Sequence, residues 1–503
     1  MAPSPFFVSG SNPALRALPW MLALAVLANA FAFAGQMANP LVYSDNWTFI
    51  DTFLRVALEE GAGFGDFLVK RAGVDHAQPL NKLLMLANAR WFGLDFRLES
   101  WFGLACAAGG WLLLCAVVLG ERRQARAHTV GPWAVALLLA AIVAVQVSPA
   151  TADVYVYPMV TMAHAFYLLG FATLAGAWHA YRGTAAWPMV VAAAAAGIVG
   201  DDSAVLLVAA VAPALVLAGL REGRMRDATR VVVLLALVLL ACRGIYMAFG
   251  EIRGSTHPDF NVGFAARVAG LAGQWREAWR WLVTPLTAGL VPAPTLRLAF
   301  GGGWDTARIA LALLVAAAHG WFWWRALRLR PGATWFVAVA LMLLFYAMVA
   351  GILYGRVFVR GADFLEQGRY AVFYQLGIVA LLLMALAPGA LRGARGAAVA
   401  TCVALALLAS QAVLAVHAWD RLPGYRAAYV VMARDMAAVA RDPRTPPEPC
   451  AIGIDICVRP EATRIALMAM LVEHRLNLFS PRFRASHPDL AEAAGPRQEA
   501  PVR

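Results

Sequence analysis

The chain has 503 residues, of which 61% are hydrophobic and only 14% are charged. Soluble domains carry roughly 25% charged residues, so this composition excludes an ordinary soluble fold. The formal net charge is +12, but the arginines lie in short clusters between apolar segments, as they do in an inner-membrane protein. The composition therefore excludes a nucleic-acid-binding protein and indicates membrane lipid as the surroundings.

Apolar segments long enough to cross a bilayer recur along the whole chain. A helix needs about 17–25 apolar residues to span the hydrocarbon core. We therefore predict an all-α polytopic membrane protein with about eleven transmembrane helices. The predicted spans are residues 15–35, 99–120, 131–148, 158–178, 187–200, 203–220, 230–249, 306–324, 333–354, 371–388 and 396–416. Because no small-residue cleavage site follows the first of them, we expect an anchor rather than a removed signal peptide.

The loops between the predicted spans alternate in charge. Arginine is concentrated in the loops at 121–128, 179–183, 221–230, 325–330 and 391–396. Since cytoplasmic loops carry the excess of Lys and Arg, this set is predicted to be cytoplasmic. The opposite set contains the loops at 36–98, 250–305 and 355–370 and the tail after 417. The pattern predicts a bacterial inner-membrane protein with a cytoplasmic N-terminus and a periplasmic C-terminus.

The chain is predicted to have three parts. Residues 1–416 form a transmembrane domain, which includes the first periplasmic loop at 36–98, and residues 417–485 form a small periplasmic segment. Residues 486–503 are polar and contain proline, which predicts a disordered tail. Cys450 and Cys457 lie in the periplasmic segment, where they could form a disulfide or remain thiols.

The first loop is predicted to contain two amphipathic helices. Ser44 or Asp45 can cap a helix that begins at Asn46, and Pro79 suits the first turn of a second helix. We expect both helices to lie on the outer membrane surface. Their predicted apolar faces are Trp47, Ile50, Phe53, Leu54, Ala57 and Leu58 in the first helix and Leu80, Leu83, Leu84, Ala87 and Trp91 in the second.

Three residues of this loop are candidates for acid–base chemistry. Asp45 could act as a general base that takes a proton from an acceptor hydroxyl, or it could only cap the helix that follows. His76 could assist catalysis, orient a substrate, or lie in solvent. Asp75 could fix the tautomer of His76 or cap the second helix.

Asp201 and Asp202 form an acidic pair between two apolar segments. Charge near a membrane is costly and is usually paired or functional. The two carboxylates could bind a substrate hydroxyl or contribute to a metal site, or they could stand in a hydrated turn. Two carboxylates are too few ligands for a metal ion, and no motif supplies the others. A divalent metal is nevertheless kept as an open alternative.

The loop at 355–370, which we call the late loop, is predicted to be periplasmic, yet it carries arginines, which are expected mainly in cytoplasmic loops. The loop before the tenth predicted span contains the residues Arg356, Arg360, Arg369 and Tyr370. Guanidinium groups match phosphate in a bidentate way, so a lipid phosphate is the natural partner. Alternatively these arginines pair with Asp363 and Glu366. Arg243, inside a predicted span, is expected to extend toward the interface.

Together these features resemble the GT-C superfamily of membrane glycosyltransferases, which includes protein O-mannosyltransferases and lipid A aminoarabinose transferases. The resemblance rests on an acidic residue soon after the first span, two interfacial helices and a His-x-x-Pro-Leu-like element at 76–80. A group of uncharacterised bacterial polytopic proteins is more similar still. The stretches shared with that group are Ala87–Gly93, Arg369-Tyr370 and His474–Phe479.

The resemblance implies transfer of a sugar from a polyprenyl-phosphate donor to a glycan, lipid or protein acceptor on the periplasmic face. It implies that Asp45 is the base and that Arg356, Arg360 or Arg369 neutralises the departing phosphate. Two positions depart from the family pattern, because Asn46 replaces a second acidic residue and Ala77 replaces an arginine. The missing arginine leaves phosphate binding to Lys82 or to the late loop.

Two other functions remain open from the sequence. A transporter or flippase for a lipid-linked or anionic solute would explain the spans and the arginines, but it predicts polar residues near the bilayer midplane, and this chain has few. An inactive scaffold of the same superfamily would explain the two departures at Asn46 and Ala77.

Overall fold

The computed structural model describes residues 13–70, 77–124, 131–157, 162–251, 262–391, 393–451 and 453–495. These residues form helices and connecting loops, and no strand occurs among them. Asp75 and His76 lie outside the described residues. The prediction of an all-helical protein is confirmed.

The first loop separates the first two long helices, and its own helices are short. Up to the second long helix the order is α1 (Pro13–Met37), α2 (Asn46–Phe49), α3 (Phe64–Leu68), α4 (Pro79–Phe92) and α5 (Arg97–Gln124). Helix α2 continues into two π-helical segments, Ile50–Leu54 and Ala57–Gly61. Helices therefore begin at Asn46 and Pro79 as predicted.

The middle of the chain is a bundle of helices. Its order is α6 (Pro132–Gln146), α7 (Ala152–Val156), α8 (Ala163–Tyr181), α9 (Trp187–Gly200), α10 (Ser203–Glu222), α11 (Met225–Phe249), α12 (Phe264–Gly273), α13 (Ala278–Ala288), α14 (Ala293–Phe300), α15 (Trp304–Arg328), α16 (Ala333–Ile352), α17 (Phe358–Arg360), α18 (Ala371–Leu386) and α19 (Gly393–Asp420). The tail adds α20 (Leu422–Arg441), α21 (Glu461–Glu473), α22 (Pro481–Ser486) and α23 (Pro488–Ala494).

Eight helical stretches among the described residues are long and apolar enough to cross a membrane. They contain α1, α5, α10, α11, α15, α16, α18 and α19. The other three predicted spans are also helices, namely α6, α8 and α9, but α6 and α9 are only 15 and 14 residues long. The membrane class is thus supported by helix length and composition, and the count of eleven stays a prediction.

Helix α16 lies at the centre of the bundle, where it packs against α10 and α18. A helix that is hydrophobic on every side lies in a protein core or in a membrane, and most of the α16 side chains are buried within the bundle. Helices α8 and α9 approach closely because Gly176 faces Met189, and a Cβ at Gly176 would overlap the Met189 backbone. Small residues at such contacts let membrane helices pack backbone to backbone.

The tail folds back onto the first loop, and the two share one hydrophobic core. The largest contributions come from Trp47, Ile50 and Phe53 of the loop and from Met432, Met436, Leu467, Leu471 and Phe483 of the tail. We call this unit, residues 40–98 together with 422–495, the outer unit. The apolar face predicted for the first loop helix is therefore buried, but against the tail rather than against the membrane.

Two of the three short stretches that carried the family resemblance meet inside the outer unit. The Asn477 N–H donates to the Gly93 carbonyl at 2.7 Å, and the Asn477 amide donates to the carbonyls of Pro40 at 2.9 Å and Leu94 at 2.6 Å. Gly93 has a φ of +74°, and a Cβ there would overlap Ser480. Both stretches therefore have a structural role in joining the loop to the tail.

We expect Asn477→Ala to lower the free energy of unfolding by about 1–3 kcal/mol, because it leaves buried carbonyls without a donor. Asn477 is fully buried. Thermal unfolding of the purified protein in detergent measures this loss. Glu461→Ala is the control, since Glu461 forms only an exposed pair with Arg444 at 3.6 Å, and such pairs contribute about 0–1 kcal/mol. Equal losses in the two variants would contradict the role of Asn477.

Helix α4 leaves part of its predicted apolar face exposed and buries its polar side in the protein. Leu83 and Trp91 are 52% and 62% exposed, whereas Asn81, Lys82 and Asn88 are buried. The buried polar groups find partners within the protein, because the Asn88 amide donates to the Asp95 carbonyl at 2.9 Å. The exposed apolar side of α4 is the one that we expected to contact the membrane surface.

The end of the tail is ordered further than predicted. We expected disorder over 486–503, but Pro488–Ala494 is helical and Leu490 is buried in the outer unit. His487 contacts Asp95 with an Nε2 to Oδ2 distance of 3.0 Å. Buried contacts with the first loop stabilise this segment, which composition alone could not indicate. Residues 496–503 lie outside the described residues.

The contact between His487 and Asp95 predicts an acid-sensitive outer unit. Burial by itself raises the pKa of Asp95, but hydrogen bonds and charge from His487 and Arg97 outweigh it, so the pKa lies below its ordinary value of 3.8. Stability from a depressed carboxyl pKa is present above that ordinary value and is lost as the pH falls through the folded pKa. We expect unfolding measured from pH 7 to pH 3 to show this loss in the wild type. A variant Asp95→Asn should lack that part of the pH dependence, and an unchanged profile would contradict the assignment.

Candidate functional site

Asp201 and Asp202 lie in an ion cluster with two cations from elsewhere in the chain. The Lys70 ammonium is 3.0 Å from Asp201 Oδ2 and 3.7 Å from Asp202 Oδ2. The Arg243 guanidinium contacts Asp201 Oδ1 at 2.7 Å and also pairs with Asp202. The Asp201 side chain is only 1% exposed, whereas that of Asp202 is 45% exposed. We call these four residues the acidic-turn cluster.

The turn between α9 and α10 determines this geometry. Asp201 ends α9 with a φ of +45° and a ψ of −117°, and α10 starts two residues later. Gly200, just before it, lies against the Phe166 ring, where a Cβ would overlap. The Asp201 Oδ2 atom also accepts a hydrogen bond from the Ala77 N–H at 3.4 Å. Ala77 directly follows His76, so this bond ties the end of the 71–76 segment to the cluster.

Two carboxylates and two cations leave the acidic-turn cluster without net charge. Arg243 pairs with both aspartates rather than only extending to the interface as expected. The described residues contain no group of three or more His, Cys, Asp or Glu side chains that could hold a metal ion. Lys70 was missed by the sequence reasoning, because nothing near it in the sequence signals a partner more than a hundred residues away.

Lys82 does not have the phosphate-binding role predicted for it. Its side chain is fully buried. The ammonium donates to the carbonyls of Asp66 at 3.1 Å, Phe67 at 3.2 Å and Val69 at 2.5 Å. These carbonyls end helix α3, where a cation stabilises the negative end of the helix dipole. An ammonium group has three hydrogens to donate, so Lys82 has a structural role and this prediction was wrong.

The late loop brings two of its three arginines to one tyrosine. The guanidinium groups of Arg356 and Arg369 both interact with the Tyr370 hydroxyl. Arg369 also lies 5.3 Å from the Phe364 ring centre, and its Nε is buried without a hydrogen-bond partner among the described residues. Arg356 stands in a π-helical segment, Leu353–Val357, a geometry often found at functional sites. The Arg360 side chain is exposed.

Asp363 and Glu366 of the same loop pair with arginines from other segments. Arg280 contacts both carboxylates, while Arg297 and Arg308 reach Glu366 at 2.9 Å and 2.8 Å. The Arg280 guanidinium holds the pKa of the Asp363 carboxyl below its usual value. We call these five residues the arginine–glutamate network. Its arginines were not among the predicted site residues.

The first loop and the late loop both contact the segment at 152–157. The Tyr43 ring packs edge-on against Tyr157, with 5.7 Å between ring centres. Helix α7, directly before Tyr157, packs against the turn Gly368–Tyr370. Asp45 and Arg369 therefore belong to two segments that flank one short helix.

A row of aromatic rings connects the late loop to the acidic-turn cluster. Tyr370 lies 6.2 Å from Phe373, and Phe373 lies 6.2 Å from Tyr167, centre to centre. Tyr167 is 6.0 Å from Phe166, the ring that packs on Gly200 beside Asp201. The structure thus brings the predicted residues Asp201, Asp202, Arg356, Arg369 and Tyr370 to the same end of the bundle.

Asp45 occupies the N-cap position of α2, but its side chain makes no capping hydrogen bond within the described residues. The carboxylate is half-buried. Ser44, just before it, adopts a φ of +47°, which is uncommon for a residue other than glycine. The alternative that Asp45 serves as a helix cap is therefore not what the structure has.

Two small cavities lie at this end of the bundle. One, of about 10 Å³, is lined by Gln146, His164, Tyr167 and Gln375 among others. The second, of about 20 Å³, lies beside Arg308, Glu366 and Thr284. Each has room for about one water molecule, and ligand sites for larger molecules measure about 300–1,000 Å³. Neither of these two cavities is by itself large enough for a sugar phosphate.

Comparison of this chain with protein-family models, with curated proteins and with solved structures finds no match. The candidate site therefore depends on the chain's own geometry.

Proposed function

We propose that this protein is a membrane glycosyltransferase of the GT-C type, which moves a sugar from a polyprenyl-phosphate donor to an acceptor at the periplasmic face of the inner membrane. The observation that carries the proposal is the contact of the first and late loops with one segment, 152–157. Tyr43, two residues before Asp45, packs on Tyr157, and the turn Gly368–Tyr370, which contains Arg369, packs on α7.

In the proposed reaction, Asp45 takes a proton from the acceptor hydroxyl. The acceptor oxygen forms a bond to the anomeric carbon of the sugar, and the bond from that carbon to the phosphate oxygen breaks. The polyprenyl phosphate leaves with the electron pair. Arg356 and Arg369 stabilise its developing charge, as preorganised donors do at developing anions, and Arg360 adds positive charge at the exposed edge.

Asp201 and Asp202 have an indirect role in this proposal. Their charges are balanced by Lys70 and Arg243, so they orient the first loop through Ala77 rather than bind the sugar. Asp75 and His76 keep the acid–base roles predicted for them from the sequence. The carrier's polyprenyl chain would lie in the membrane beside the bundle.

The cytoplasmic N-terminus and periplasmic tail are part of the same proposal. The arginine asymmetry between loops supports this orientation. Cys450 and Cys457 form a disulfide in the outer unit, and disulfides persist in oxidising compartments such as the periplasm.

Purified protein in liposomes, supplied with polyprenyl-phosphate sugars and a mixture of candidate acceptors, tests the proposal. We expect sugar transfer with release of polyprenyl phosphate. Movement of the labelled lipid-linked sugar across the bilayer without any transfer would favour a flippase instead. Neither transfer nor movement with any donor tried would favour an inactive scaffold.

A further inference from the structure

A disulfide-closed loop of the tail lies directly on the turn that carries Asp45. Cys450 and Cys457 close the loop, with 6.4 Å between their Cα atoms. Inside it the Gly453 carbonyl accepts a hydrogen bond from the Ser44 N–H at 2.8 Å. This bond joins the tail to the residue next to Asp45, across about four hundred positions of sequence.

Two independent constraints require glycine at position 453. Its φ is +88°, in the left-handed region where a Cβ is strained. A Cβ there would also overlap the Tyr43 ring. The ring is held on its other side by Tyr157, so it has little room to withdraw. Any side chain at position 453 therefore has to displace either the tail loop or the Tyr43 turn.

The tail loop is itself anchored. The Ala451 N–H donates to the Asp435 carboxylate on α20 at 2.8 Å, and the Ile454 N–H donates to the Ala451 carbonyl at 3.2 Å. Ile454 is buried in the outer unit. The disulfide, the hydrogen bond to Asp435 and the buried Ile454 side chain together hold the loop in place.

The supported turn is strained. Ser44 has a φ of +47°, a region that costs a residue with a Cβ of order 1–2 kcal/mol. Such a conformation persists only where the surroundings determine it, and these positions cluster at functional sites. The Gly453 carbonyl bond and the Tyr43 packing are two contacts from the tail that hold Ser44 in this state.

We propose that the loop 450–457 positions Asp45, and that it does so through the contacts of Gly453 with Tyr43 and Ser44. The loop holds Tyr43 and the Ser44 amide in place, so that the Asp45 carboxylate keeps one orientation toward the late loop. The catalytic part of this inference rests on the proposed function. The structural part, that the loop holds the Tyr43–Asp45 turn, stands on its own.

The variant Gly453→Ala, together with a matched control, tests whether the loop 450–457 holds the Tyr43–Asp45 turn. Gly495 has a similar positive φ of +81°, but no atom lies within 4 Å of a Cβ built there. Gly495→Ala therefore puts a Cβ at a positive φ without the collision with Tyr43. Amide hydrogen exchange of residues 43–46 is the readout that does not depend on activity.

We expect exchange at residues 43–46 to rise at least tenfold in Gly453→Ala and to stay at the wild-type rate in Gly495→Ala. In the transfer assay, Gly453→Ala should lower kcat at least tenfold with little change in donor KM, because positioning of a base affects the chemical step. Unchanged exchange at residues 43–46 in Gly453→Ala would overturn the inference, as would equal effects in the two variants.

A second perturbation covers the case in which Gly453→Ala does not fold. The double variant Cys450→Ser and Cys457→Ser opens the loop without adding volume, and exchange at residues 43–46 should again rise. If no transfer occurs even in the wild type, the proposed function fails, and the exchange results still decide whether the loop holds the turn.

Discussion

Asp45→Asn is expected to lower the rate of sugar transfer by about 10²–10⁴-fold, the range that general-base catalysis contributes. The amide has the shape of the carboxylate but cannot accept the proton of the acceptor hydroxyl. Folding should be retained, because the amide keeps the size of the carboxylate and the side chain is only half-buried. Initial rates with a polyprenyl-phosphate sugar, compared at saturating donor, measure the loss.

Asp51→Asn is the matched control for this variant. Asp51 stands on the same stretch of helix, and its carboxylate forms only long pairs with Arg55 at 3.7 Å and Arg459 at 3.8 Å. Its replacement should leave transfer within about twofold, since such partly exposed pairs contribute about 0–1 kcal/mol. Full-rate transfer by Asp45→Asn would remove Asp45 from the mechanism, and an equal loss in both variants would point to charge in the loop rather than to a base.

Asp201→Asn is expected to lower the free energy of unfolding by about 3–5 kcal/mol, the usual result of removing one partner from a buried ion pair. Its carboxylate is 1% exposed and contacts Lys70, Arg243 and the Ala77 N–H. Without it, two cations share a single carboxylate, and the connection between the first loop and the bundle is lost. Denaturation of the purified protein in detergent measures the change.

A comparison of Asp202→Asn with Asp201→Asn separates the effect of burial on stability from the effect of charge. Both aspartates contact the same two cations, but the Asp202 side chain is 45% exposed. Water therefore screens its interactions, and we expect a loss of about 0–1 kcal/mol. If both replacements cost the same, the buried position of Asp201 does not determine the stability of the turn.

The membrane helices were predictable because length and composition alone determine them. A segment such as 333–354 is apolar on every side, so a helix in a protein core or in lipid follows without knowledge of its partners. Helix starts at Asn46 and Pro79 followed from local turn chemistry. These features depend on neighbours in the sequence.

The face of α4 and the role of Lys82 were not predictable in the same way. Amphipathicity shows that a helix has two faces, but not which of them meets protein. Here the carbonyls at the end of α3 give Lys82 its three acceptors, and this tertiary contact puts the polar face inside. The exposed apolar face, which includes Leu83 and Trp91, is the one expected to contact the membrane surface.

The candidate site was predictable only in part. The late-loop arginines stood out because they break the charge rule, and Arg356 and Arg369 do converge on Tyr370. The partners of Glu366 come from positions 58 to 86 residues away, so no local pattern could indicate them. The contact between Gly93 and Asn477 is equally long-range, although both lie in stretches that the family resemblance had singled out.

A structure of the protein with a bound polyprenyl-phosphate sugar tests the central claim most directly. We expect the phosphate within hydrogen-bond distance of Arg356 and Arg369, with the sugar between the late loop and Asp45. A phosphate bound at the arginines of the loops predicted to be cytoplasmic would contradict the proposed transferase. So would Asp45 and Arg369 facing separate regions of lipid or solvent.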